Sequence, residues 1–282
     1  MNSFQDPLIP LLEKCLAGDH FALEGLVDQL QPKIFSMALH FLWSPEDAED
    51  ACQEILVKVI TKLESFRRES KLSTWVYKIA VNHLIQVKRS KLEESKIRFK
   101  YIDHELRNSQ HSSAALDEES DISLYIRGAC TYAILHCLKR TYRIVFVMGI
   151  IFGMSSEEGA YILEITPVNF RKRLSRSRKM MSDFMKPRCG LLDSSNACKC
   201  KNRIKYSNQS PQFNSFLNLS MDLKKSWEWN EIEPSLDESK EILAIANLFR
   251  STPDFQSKKK VMDELKRLIL RNQFDLFKET NS

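Results

Sequence analysis

Between residues 8 and 90 apolar side chains recur every three to four positions, the period of a helix with one buried face. The stretch 8–42 reads as two amphipathic helices parted at Gly18 and Asp19, with Asp19 placed to cap a helix starting at His20. A third helix is expected over 45–64: Ser44 stands at its cap, Pro45 at the first helical position and Asp47 at the third. A fourth covers 73–90, opened by Ser73 or Thr74. The pattern then fades. From 91 to 122 Ser, Glu, Asp and His accumulate, which predicts a flexible, locally acidic linker. Helical periodicity returns over 123–185. The remainder, 186–282, holds a cysteine cluster, an Asn/Ser/Gln-rich stretch at 207–220 and two late helical patterns near 238–250 and 257–277. No segment alternates as a strand does, and no repeat is visible. The expected fold class is all-α: two small helical domains at 8–90 and 123–185, joined by a flexible linker and followed by a partly helical extension.

Composition changes this picture little. The chain has 282 residues, 43% of them hydrophobic, and only 7 glycines, which suits helical domains and excludes collagen-like and low-complexity classes. No apolar run approaches the ~20 residues of a membrane helix, and the N-terminus lacks a basic-then-apolar signal, so a soluble, cytoplasmic protein without membrane insertion is expected. The formal charge of +5 is modest. It gains meaning only from its concentration in one helical pattern, where six basic side chains between 167 and 183 face one acid, Asp183.

That helix belongs to a recognisable unit. Ser155 and Glu158 have capping-box spacing at the start of a short helix. Glu164 and Ile165 make a tight turn. Thr166 then caps a second helix with Pro167 at its first position. Phe170, Leu174 and Met181 can face inward, while Arg171, Lys172, Arg173, Arg176, Arg178 and Lys179 decorate the rest. A short capped helix, a turn and a basic helix make a helix-turn-helix. Thr166 and Asn169 lie at the end that enters a DNA groove, and the arginines suit phosphates and guanine edges. The plainer alternative is a solvated basic helix.

At Ser44 to Ile55 (SPEDAEDACQEI) the chain resembles the sigma-70 family of bacterial RNA polymerase initiation factors, in its extracytoplasmic-function (ECF) group. Phe66 to Asn82 (FRRESKLSTWVYKIAVN) resembles the next motif of that group. Leu138 to Phe146, Gly153 to Glu158 and Arg171 to Arg178 resemble its second domain. The resemblance covers about 15–185, with the motifs in the family's order. It implies a non-enzymatic factor that brings core polymerase to promoters of a stress- or signal-responsive gene set. Region 2 would be 8–90 and region 4 would be 123–185. Asp47, Asp50, Gln53 and Glu54 would meet the polymerase β′ clamp helices, and the second domain would meet the β flap; acids at this helix start also suit its dipole. The basic helix would read the −35 element. The loop and helix after Phe66 would take one strand of the −10 element as it opens.

An opened strand offers bare base faces and phosphates, which call for aromatic walls, amides or hydroxyls, and cations. Phe66, Arg67, Arg68, Lys71, Ser73 and Asn82 supply that set, and Lys78, Lys88 and Arg89 can follow the backbone. Trp75 has two open readings, core side chain or stacking platform. Three departures from the family pattern stand out: Gly159 replaces a branched apolar residue, Glu164 a common turn glycine, and Val81 a frequent base.

Seven cysteines occur. Cys15, Cys52, Cys130 and Cys137 sit singly in apolar helical patterns and read as core. Cys189, Cys198 and Cys200 cluster. Three thiolates suit zinc, yet no nearby His supplies a fourth ligand; a redox pair and no special role are the alternatives. No other cofactor is expected, and no nucleophile motif or phosphate loop points to an enzyme. An anti-sigma factor is a further candidate partner.

Overall fold

The computed structural model describes residues 6–42, 44–88, 99–108, 121–200 and 245. Among them every regular element is a helix, apart from an isolated bridge between Cys189 and Cys198. The described helices fall into two compact units.

The first unit contains α1 (Ile9–Leu16), α2 (His20–Leu42), α3 (Pro45–Thr61), a 3-10 turn (Leu63–Ser65) and α4 (Leu72–Gln86). Gly18 supplies the chain reversal after α1 with φ +87°, a conformation in which a side chain would be strained. Asp19 caps α2 as expected, its carboxylate accepting from Ala22 N at 3.1 Å. Ser44 caps α3 by accepting from Asp47 N at 3.1 Å. Leu23, Ile34 and Phe41 of α2, Ile55 and Leu56 of α3, and Val76 and Leu84 of α4 close the core around α2.

Two expectations for this unit need correction. The third helix stops at Thr61 rather than 64, and the fourth spans Leu72–Gln86 rather than 73–90. Neither Ser73 nor Thr74 caps α4. The cap position is Lys71, whose side chain makes no capping bond. The first free N–H of α4, on Leu72, donates instead to the Asp6 carboxylate at 2.5 Å.

The second unit contains α5 (Phe99–Asn108), α6 (Asp121–His136), α7 (Arg140–Phe146, continued by a π turn at Val147–Ile151), α8 (Ser156–Leu163) and α9 (Pro167–Met185). The expected linker 91–122 therefore holds a helix. Ile102 and Leu106 are buried, and Phe99 stacks on Phe184 of α9 with ring centroids 4.9 Å apart. Their i, i+3, i+7 spacing is a helix face set among polar residues, which is why composition alone suggested a linker. Asp103 of α5 binds Arg188 at 2.5 Å.

The helix-turn-helix rests on a close helix crossing. A Cβ at Gly159 would overlap the Phe170 ring, so the glycine that departs from the family pattern is what lets α9 pack on α8. Phe170, Leu174 and Met181 are buried as expected. The wholly buried Arg143 turns its guanidinium onto the carbonyls of His136 (3.2 Å) and Leu138 (3.1 Å), satisfying groups that the end of α6 leaves without helical partners.

Candidate functional site

Two surfaces carry the residues singled out from the sequence. On the first unit, the chain leaves the 3-10 turn at Phe66, passes Arg68 in the left-handed region (φ +58°), and enters α4. Phe66 and Trp75 pack at 5.6 Å between centroids, tilted by 56°. Trp75 is half-buried against Phe66, so it is not a wholly buried core side chain. The two rings wall a recess that also presents Arg67, Ser70, Lys78 and Asn82. Aromatic faces, an amide, a hydroxyl and cations thus line one concavity, the set needed to hold an unstacked base and its phosphates. Ser73 and Lys71 line a second recess, with Lys33 and Tyr77. Lys88 lies exposed beyond α4, and Arg89 lies outside the described residues.

On α3, Asp50 and Glu54 are exposed while Asp47 and Gln53 are half-buried. Beside them lies a pair that sequence reasoning passed over. Lys58 Nζ stands 2.6 Å from His83 Nδ1, and Glu54 lies 3.8 Å from His83 Nε2. Burial and the neighbouring Lys58 hold the His83 pKa below its ordinary value, with Glu54 pulling the other way.

On the second unit, the capping box is formed in both directions: Glu158 N donates to Ser155 Oγ at 3.1 Å, and Ser155 N donates to Glu158 at 3.0 Å. Glu164 takes φ +53° in the turn, the conformation at which glycine is at ease, and it meets that strain with a side chain. Thr166 Oγ1 accepts from Asn169 N at 3.2 Å and so fixes the start of α9. Val168 and Asn169 stand exposed at that start. Arg171, Lys172, Arg176 and Lys179 are exposed, whereas Arg173 and Arg178 are half-buried, so the basic face is narrower than the sequence suggested. Arg171 pairs with Glu157 at 3.5 Å and Lys179 with Asp183 at 3.1 Å. Exposed pairs of this kind contribute at most about 1 kcal/mol and exchange readily for phosphate.

The extension begins as a compact knot. Gly190 N donates to Cys198 O at 3.1 Å, and a Cβ at Gly190 would collide with that carbonyl. Asn196 Nδ2 ties back to Lys186 O (2.7 Å) and Cys189 O (3.0 Å). Cys189, Cys198 and Cys200 meet around a cavity of about 40 Å³. Cys130 of α6 lines the same cavity, a correction to its reading as plain core. Burial raises the thiol pKa values of Cys189 and Cys200, and the neighbouring sulfurs reinforce the effect. Among the described residues no group of three or more His, Cys, Asp or Glu side chains, these cysteines included, is placed so that it could hold a metal ion. The late helical patterns near 238–250 and 257–277 lie outside the described residues, Ile245 excepted. No described helix is long and apolar enough to cross a membrane.

Comparison with known proteins matches the two segments that carry these surfaces. The family model for sigma-70 region 2 matches residues 26–92, and that for sigma-70 region 4 matches 129–181. The ECF RNA polymerase sigma factor SigW of Bacillus subtilis is 28% identical over 58% of this chain and 89% of its own length. The RNA polymerase sigma-H factor of Pseudomonas aeruginosa is 26% identical over 63% of this chain and 93% of its own. The ECF sigma-E factor of Escherichia coli K12 is 27% identical over the same shares. A solved sigma factor RpoE from Bartonella quintana, in complex with the anti-sigma factor NepR, superposes loosely, with TM-score 0.39 and 20% identity over 56% of this chain and 92% of that one. Two surfaces built from aromatic, amide and basic side chains, carried on segments that match regions 2 and 4 in order, place the protein among transcription initiation factors rather than enzymes: the chain belongs to the sigma-70 family, in its ECF group.

Proposed function

We propose that this sigma factor, which directs RNA polymerase to promoters, divides promoter reading between its two surfaces. The exposed start of α9 reads the −35 element: Asn169 and Arg171 approach base edges while Lys172, Arg176 and Lys179 neutralise phosphates. Thr166 acts through α9 by fixing its first turn. Arg173 and Arg178 contribute from the half-buried flank. The recess between Phe66 and Trp75 takes a flipped base of the −10 element, with Asn82 for its polar edge, while Ser73 meets the strand from the second recess. Arg67, Arg68, Lys71, Lys78, Lys88 and Arg89 hold the strand's phosphates. Asp47, Asp50, Gln53 and Glu54 dock on the β′ clamp helices of core polymerase, and the second unit on the β flap. The gene set is stress- or signal-responsive, the site of action is the cytoplasm, and an anti-sigma factor is the proposed brake.

The observation that carries this reading is the Phe66–Trp75 ring pair opening onto Asn82 and the cations of Lys62, Arg67 and Lys78 in one recess. A solvated helix has no use for such a wall. Supplying the protein to core polymerase on a genomic DNA library and mapping transcript starts tests the reading. Discrete new starts with shared −35 and −10 sequences are expected. Binding to a DNA site by the protein alone, with no polymerase-dependent start, would instead make it an ordinary helix-turn-helix regulator.

A further inference from the structure

We propose that Asp6 is a positioning residue for −10 strand capture, because its single carboxylate caps two helices, one of which carries the capture surface. The inference rests on the −10 reading of the Phe66 to Asn82 surface. Helix α4 begins at Leu72, and the Lys71 side chain at its cap position makes no capping bond. Helix α1 likewise has Leu8 at its cap position and no side-chain cap of its own. Asp6 serves both. One carboxylate oxygen accepts from Leu8 N at 3.1 Å, and the other accepts from Leu72 N at 2.5 Å across 66 residues. The Asp6 backbone carbonyl also accepts from Ile9 N at 3.0 Å.

The arrangement is strong for physical reasons. Asp6 is 9% exposed, so its charge is largely removed from water and depends on its donors. Two helix N-termini, each with free N–H groups and the positive end of a helix dipole, converge on it. A carboxylate there fixes where α4 starts and therefore where the loop from Phe66 to Lys71 ends. A second contact from the same N-terminal segment reaches the loop's middle: Glu13 of α1 pairs with Arg68 at 2.9 Å, at the residue whose φ is +58°. That pair is exposed and weak, but it acts in the same direction. The N-terminal segment thus holds the capture loop at its middle and at its end. Four links follow in order: a cap supplied from far away in sequence, a defined start for α4, a defined loop, and rings and Asn82 held in register for a base.

The test is a double-mutant cycle on polymerase holoenzyme formed with the full chain. Asp6→Ala is made alone and together with Lys71→Ser, which gives α4 a local cap. Three quantities are read: affinity for core polymerase, occupancy of a −35-only duplex, and the rate of −10 opening by permanganate reactivity. Asp6→Ala should slow opening roughly fivefold or more, the equivalent of one lost cap. Core affinity and −35 occupancy should stay within about twofold. In the Lys71→Ser background the same change should cost less than about twofold. Asp6→Asn, which keeps one good acceptor and the side-chain shape, should fall between. Equal loss of all three quantities would show a general folding role and overturn the proposal, as would strictly additive losses in the cycle. Asn82→Ala is run in parallel: if it leaves opening intact, the −10 reading itself has failed; if it slows opening while Asp6→Ala does not, only the capping inference has.

Discussion

The two surfaces proposed to meet DNA are held in place by opposite means. At the start of α9 the fixing bonds are local: Thr166 to Asn169, and Ser155 to Glu158, each three residues apart. At the capture loop of the first unit the fixing bonds come from far away: Asp6 to Leu72 over 66 residues, and Glu13 to Arg68 over 55. A locally capped helix forms its working end as soon as its core face packs. A loop braced from the chain's beginning keeps its shape only while the whole unit is intact. The difference suits the proposed tasks, since a −35 reader meets rigid duplex and a −10 reader must hold a strand that is being pulled out of one.

The largest expected effect probes the core contact beneath the local end. Phe170→Ala removes the ring that fills the space above Gly159, and should cost the second unit about 3–5 kcal/mol. Denaturant unfolding followed by separate probes in each unit checks this. The first unit's transition should not move, and a shared shift would dissolve the contrast.

Next comes the acid response of the first unit. His40 is wholly buried, donates Nδ1–H to Ser36 O at 2.7 Å, and burial lowers its pKa to about 4. In the unfolded chain it returns to about 6.5. The unfolded state therefore binds the extra proton first, so the stabilisation is complete above pH ~6.5 and is lost as pH falls towards 4. The loss is about 3 kcal/mol at most. The first unit's unfolding midpoint should drop over that window, and His40→Gln should flatten the slope. A slope unchanged by His40→Gln would remove His40 as its cause.

The smallest effect is at the local cap. Thr166→Ala should cost about 1 kcal/mol of second-unit stability and weaken −35 duplex binding by about fivefold, without changing −10 opening once the complex has formed. Gel-shift and opening assays on the same promoter separate the two. Loss of opening alone would reverse the assignment of the surfaces.

What could be read from the sequence follows the same division. The caps at Asp19, Ser44, Ser155 and Thr166 were legible because cap and helix start share a few residues. So was the buried stripe of Phe170, Leu174 and Met181, since periodicity declares it. The start of α4 was misplaced at Ser73 or Thr74 because its cap lies far back in the chain, where no local pattern points to it. Helix α5 was hidden by its polar composition, although Phe99, Ile102 and Leu106 hold its inward face. Cys130 joined the cysteines of the extension only through tertiary packing. Gly159 stood out as a departure, and only the Phe170 ring beside it explains why a glycine is there.

The central claim is that the recess walled by Phe66 and Trp75 captures the opened strand through Asn82. The direct measurement is permanganate reactivity of the −10 region with holoenzyme carrying Asn82→Ala, set beside its affinity for core polymerase. Asn82 is exposed on α4, so the substitution leaves the core of the unit untouched. A loss of opening on the order of tenfold with core affinity unchanged is the predicted result, consistent with the ~1–3 kcal/mol of a lost base contact. Equal losses of opening and of core binding, or no loss of either, would contradict it.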